Sequence, residues 1–226
     1  MIYGYSERGI FNSIVYYLDG NEDLIGKFLK DALNIGEFSN ITHSFTFLIE
    51  QSFSDFGDCD LIIIAEQISD KEKTVIFIEG KRGKSFSLEN EYKKFFSKFS
   101  TSNLFIQLYF KYLLSKGNDE ELIDKALEGR INKHNRKIGK NKVVLEARNK
   151  YIKDANQYYY VAIIPKEKDD AKKITQYFKK LALMTGVKNI QCASWQDIEK
   201  FFGSISNPNN DVIENFKYNK GQIYKE

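Results

Sequence analysis

Apolar residues first recur at helical spacing at Ile10, Phe11, Ile14, Val15 and Leu18, which predicts an amphipathic helix with Ser6 as N-cap and Gly20 as stop. A second helix is expected over residues 22–33. Residues 41–51 are rich in Thr and Phe with partial alternation and read as a strand. Two β-rich apolar runs, 61–66 and 74–79, flank the turn-like Ser69-Asp70-Lys71-Glu72 and predict a hairpin. A long helical region spans 88–114 with an interruption near Ser100-Thr101-Ser102. Its apolar positions include Tyr92, Phe95, Phe96, Phe99, Phe105, Leu108 and Tyr112.

A polar, charged stretch follows Gly117. Residues 158–164 then form a buried strand stopped by Pro165. A helix over 170–183 precedes Gly186, a short strand covers 189–193, and Ser194 caps a helix over 195–202. The Asn-rich tail 203–226 reads as irregular. This order of elements predicts an α/β chain with a mixed sheet and helices on both faces. Residues 1–226 are expected as a single domain with a basic insertion around 115–156.

Composition narrows the class. The 226 residues, 15% of them aromatic, suffice for one substantial core. Cys59 and Cys192 are the only cysteines and lie far apart, which argues against a disulfide scaffold or a zinc finger and fits a reducing cytoplasm. No segment has the uncharged apolar length of a membrane span, and residues 1–7 lack a basic region followed by an apolar run. The expectation is a cytoplasmic protein with no membrane partner. The net charge of +3 is too small to name a partner.

Chemistry enters at the hairpin. Asp60 lies as far before the loop midpoint near Ser69 and Asp70 as Glu79 lies after it, so an antiparallel pairing brings the two acids nearly opposite. Strand periodicity puts Lys81 on the face of Glu79. Asp58, two residues earlier, is the rival for the first acid; Asp60 is favoured because the apolar run begins immediately after it. Glu50 and Glu66 read as solvated strand ends. Gly83-Lys84-Ser85 has the ending of a P-loop, but Ile78 stands where its first glycine belongs. His43 and His134 are isolated, and no GxSxG elbow exists, so serine and zinc hydrolysis lack support.

The segment Asp60 … Glu79-Gly80-Lys81, in its context of helix, meander, helix and strand, resembles the PD-(D/E)XK phosphodiesterase superfamily. That superfamily includes restriction endonucleases, archaeal-type Holliday junction resolvases and RecB-type nucleases. By element order the resemblance covers residues 5–115 and 157–202; the specific motif occupies 60–81. Cys59 stands where the family proline would be. The resemblance implies a restriction endonuclease-like αβββαβ core and a metal-dependent nuclease acting on DNA, with Mg²⁺ as cofactor and Mn²⁺ as a substitute. It implies Asp60 and Glu79 as metal-binding acids, Gly80 as the donor of a backbone carbonyl, and Lys81 as the catalytic lysine. Glu7 resembles an acid that assists metal or water, and Gln107 resembles the glutamine of the following helix. RecB-type nucleases carry a tyrosine four residues after that glutamine; Lys111 stands there. Homodimers are common among restriction-type members.

Each assisting residue also has a plainer role. Glu7 at a helix start favours the helix dipole, and Gln107 in an apolar helix needs a structural hydrogen-bond partner. Trp195 reads as a packing residue. The run from Lys125 to Lys153 is a solvated basic face or a phosphate-binding one. On the second reading Lys133, Arg136, Lys137 and Lys140, with Arg82, Lys84 and Lys111, are the expected nucleic-acid contacts. The alternative to a nuclease is a catalytically inactive nucleic-acid- or protein-binding module of the same fold.

Overall fold

In the computed structural model the described residues are 4–36, 38, 42–83, 86–97, 100, 102–116, 141–165, 170–205 and 210–224. The basic residues Lys84, Lys133, Arg136, Lys137 and Lys140 lie outside them. A five-stranded mixed sheet runs in the order β1 (His43–Ser52), β2 (Asp58–Gln67), β3 (Lys73–Gly80), β4 (Gln157–Ile164), β5 (Ile190–Ser194). The first three strands form an antiparallel meander, and β4 and β5 add in parallel. The hairpin register pairs Leu61 with Ile78 and Ile62 with Phe77, the symmetric pairing about Ser69 and Asp70 that the sequence predicts.

Strand alternation feeds two cores. Ile62, Ile64, Val75, Phe77, Tyr160 and Ala162 face one side. There they meet α3 (Leu88–Ser97), α4 (Leu104–Ser115), α5 (Lys142–Glu146, continued by a π-helical turn Ala147–Ile152) and α6 (Asp170–Thr185). Leu61, Ile63, Ile76, Ile78, Val161 and Ile163 face the other. That side is covered by α1 (Ser6–Leu18), α2 (Glu22–Lys27, continued by a π-helical turn Phe28–Ala32), α7 (Trp195–Gly203) and α8 (Asp211–Ile223). β2 and β3 are covered on both faces, which is why they read as continuous apolar runs rather than alternating ones. Among the described residues no helix is long and apolar enough to cross a membrane.

Two expectations change. The segment from 203 onward is not irregular throughout: α8 is capped at Asn210, whose side chain accepts from the Ile213 amide, and it packs on α1. Asn residues are poor helix formers in isolation, but here Asn215 and Asn219 stand four apart on one face and bind the chain start. Asn219 Oδ1 accepts from the Ser6 amide (2.6 Å), its Nδ2 donates to the Gly4 carbonyl (2.9 Å), and Asn215 Oδ1 accepts from the Gly4 amide (3.0 Å). Ser6 is therefore not the N-cap. It is the first helical residue, and α8 supplies the acceptor for its amide. The approach is close at Gly9, where an added Cβ would run into the Gly4 backbone.

Replacing Asn219 by Ala removes partners from buried backbone groups, each worth about 1–3 kcal/mol when left unsatisfied. Thermal unfolding of Asn219→Ala is expected to show a loss of roughly 3 kcal/mol; an unchanged midpoint would show that α8 does not hold the start of α1.

Candidate functional site

At the end of the hairpin the sheet divides. The β2–β3 ladder stops at Leu61–Ile78. Beyond it, β2 continues to pair with β1 as far as Asp58–Ser52, while β3 continues to pair with β4 as far as Gly80–Ile163. The gap between these two arms is a fork, and it contains Cys59, Asp60 and Glu79. Cys59 packs into the α4-side core although Leu61 packs into the other. Its thiol reaches toward the Leu61 and Ile78 carbonyls (3.5 and 3.6 Å). Burial pushes that thiol well above its ordinary range, so it stays protonated as a weak donor.

Asp60 closes the fork from one side. Its Oδ2 accepts from the Gly80 amide at 2.7 Å, a side-chain bond where a ladder bond would otherwise run. Burial, then the charge of Glu79, raise its carboxyl to about 7, while the Gly80 amide and the Lys81 charge oppose the rise. Glu7 is near enough to add to the repulsion. Asp58, the rival acid, is exposed, and its carbonyl rather than its carboxylate is bound at the fork.

Glu79 is fully buried. Burial raises its carboxyl, and the charges of Lys111 and Lys81 pull it back. Lys111 Nζ lies 3.3 Å from Oε1, and that ammonium and the Cys59 thiol are the donors nearest the carboxylate; among the described residues neither oxygen has a partner in good hydrogen-bond geometry. Such atoms are costly in a protein interior unless something else binds them.

Lys81 is held through its backbone. Its amide donates to the Ile163 carbonyl (2.8 Å), and its carbonyl accepts from Trp195 Nε1 (2.7 Å). Trp195, read from sequence as packing, does pack, against Phe11 with ring centroids 5.2 Å apart, and it also fixes the lysine. Gly80 must be glycine: an added Cβ would come within 2.9 Å of both Phe11 Cε2 and Trp195 Cζ2.

The remaining residues divide. Glu7 Oε2 lies 3.0 Å from Arg82 Nε. Arg82 also reaches Gln222 (3.3 Å) and sits 5.7 Å above the Tyr5 ring, at the rim of the fork. Gln107 stands one turn before Lys111 on α4, its Oε1 buried without a partner. Lys111 corrects an expectation. It is not a surface cation for a phosphate but a wholly buried one whose contacts are all internal. The signal was available: a lysine inside the apolar run LFIQLYFKYLLS, far from either end, has to find a buried partner.

No group of three or more His, Cys, Asp or Glu side chains is gathered as a metal cluster among the described residues. The donors that the fork offers are oxygens: the carboxylates of Asp60 and Glu79 and the carbonyl of Gly80. Comparison with known proteins returns nothing similar: no family model matches the chain, and neither do curated proteins or solved structures.

Proposed function

We propose that this chain is a divalent-metal-dependent nuclease that hydrolyses phosphodiester bonds in DNA, built on a restriction endonuclease-like αβββαβ core. The observation that carries the reading is the fork itself. Two acids stand where strands part, one of them a buried carboxylate with no partner in good hydrogen-bond geometry among the described residues, and the charge of a lysine acts on both. A solvated hairpin end would not bury Glu79.

The donors fit Mg²⁺ or Mn²⁺. Hard cations prefer oxygen ligands, and Mg²⁺ retains several waters, so two carboxylates and the Gly80 carbonyl are sufficient protein donors. The unsatisfied Glu79 oxygens and the raised Asp60 carboxyl are what an ion would relieve. When bound, such an ion polarises the phosphodiester and acidifies water. Asp60 and Glu79 would hold it. Lys81, its backbone pinned by β4 and Trp195 and its charge felt by both acids, would orient the attacking water and offset charge on phosphorus. Arg82 at the rim offers a guanidinium to the backbone of the nucleic acid. The choice of DNA rests on the resemblance of the Asp60 … Glu79-Gly80-Lys81 motif.

The test is cleavage of linear, single-stranded, branched and circular DNA with Mg²⁺, with Mn²⁺ and with chelator. Lys81→Ala is expected to lower the rate by about a hundredfold or more without loss of fold. Salt-sensitive DNA retention with no cleavage under either metal would instead identify a non-catalytic binding module.

A further inference from the structure

Lys111 raises a problem that the chemistry above does not answer. An ammonium in the interior costs several kcal/mol even after relaxation, and α4 is otherwise apolar apart from Gln107 and its last residue, Ser115. Leu or Met at this position would pack well without that cost. The Lys111 ammonium has three partners: it donates to the Phe56 carbonyl (3.0 Å) and the Asp58 carbonyl (2.8 Å), and it forms an ion pair with Glu79 Oε1 (3.3 Å).

Those partners belong to the two arms of the fork. Phe56 lies on the approach to β2 and Asp58 opens it, two residues before Asp60; Glu79 lies on β3. The ammonium therefore spans the opening just past Leu61–Ile78, where ladder bonds no longer join the strands. It leaves Glu79 Oε2 without a partner in good hydrogen-bond geometry among the described residues. Gln107, whose Oε1 is also unpartnered, stands on the same face of α4.

We infer that Lys111 is the positioning residue of this site: by bridging the arms of the fork it sets the separation of Asp60 and Glu79, and so the affinity for a divalent cation. The inference rests on the nuclease reading. A bridge that served stability alone would leave ion affinity untouched once the protein is folded. A bridge that sets the separation of the donors controls affinity, as partners of metal ligands do, typically by about 10–100-fold.

Calorimetric titration of the metal-free full chain with Mn²⁺ separates these cases. It is run on wild type, Lys111→Met and Lys111→Arg, with circular dichroism to establish folding and steady-state kinetics on DNA alongside. Lys111→Met is expected to bind Mn²⁺ at least about tenfold more weakly while still folded, and to lose more in kcat than in KM. Lys111→Arg keeps the charge, but its planar fork cannot meet the same three partners. It is expected to melt closer to wild type than the Met variant and still to bind Mn²⁺ more weakly than wild type. Wild-type affinity in a folded Met variant overturns the inference. If the Met variant does not fold, an Arg variant with wild-type affinity and kcat overturns it equally. Wild-type protein that binds no Mn²⁺ removes the nuclease reading and this inference with it; wild type that binds while the variants match it removes the inference alone.

Discussion

Asp60→Asn is expected to remove metal-dependent cleavage and, at the same time, to make the metal-free protein more stable at pH 8. The first half follows from losing a charged oxygen donor. Disturbing partners of metal ligands already costs about 10–100-fold, so loss of the donor should exceed that. The second half follows from the carboxyl raised from its ordinary 3.8 to about 7. The folded state binds this proton more tightly than the unfolded chain does. Ionised Asp60 therefore destabilises the fold, fully above about pH 7 and not at all below about pH 4. At about 1.4 kcal/mol per unit, the penalty is on the order of 4–5 kcal/mol. The Gly80 amide bonds to Oδ2 (2.7 Å), and an Asn amide oxygen can accept there without a charge.

A net gain of roughly 1–3 kcal/mol at pH 8, shrinking toward zero by pH 4, is the expected result. That corresponds to a rise in midpoint of about 2–4 °C per kcal/mol at this chain length. In wild type the Mn²⁺ affinity should increase with pH up to about 7 and then level, because binding displaces the Asp60 proton. Equal melting of the two proteins at pH 8, with chelator present, would mean that Asp60 carries no buried charge.

Glu79→Gln should move stability the other way. It also ends cleavage, but it leaves Lys111 with two carbonyls and no counter-charge in a site without solvent. Removing one partner of a buried pair costs about 3–5 kcal/mol, whereas replacing both charges is often neutral. The single variant is therefore expected to melt well below wild type, and the double variant Glu79→Gln, Lys111→Met to recover most of the loss. A double-mutant cycle in urea measures the coupling. If the two losses simply add, the 3.3 Å approach carries no interaction energy. Two acids of one candidate site, both raised by burial, thus differ in their expected effect on stability, because only Glu79 is the counter-charge of a buried ammonium.

Some of this was legible in the chain. The loop of the hairpin sits symmetrically between two apolar runs, so its register follows from counting, and the structure pairs Leu61 with Ile78 accordingly. Ser194 as N-cap of α7, Gly186 after α6 and the break between α3 and α4 were readable from local chemistry. The helix α8 was not. Its asparagines are weak helix formers whose amides find partners at Gly4 and Ser6, more than two hundred positions away.

Lys111 shows the same limit at the candidate site. Its position inside an apolar helix announced burial, but nothing near it in sequence named Glu79 or the carbonyls of Phe56 and Asp58. By itself the sequence determined the periodicities, the Ser194 cap, the hairpin register and the motif Asp60 … Glu79-Gly80-Lys81, because each depends on residues close along the chain or joined by one short turn. The tertiary structure decided that Glu79 is buried, that Asp60 is raised to about 7, that Arg82 pairs with Glu7, and that Lys111 bridges the fork. Those outcomes depend on how much water is excluded and which charges meet, and both are set by segments that only folding brings together.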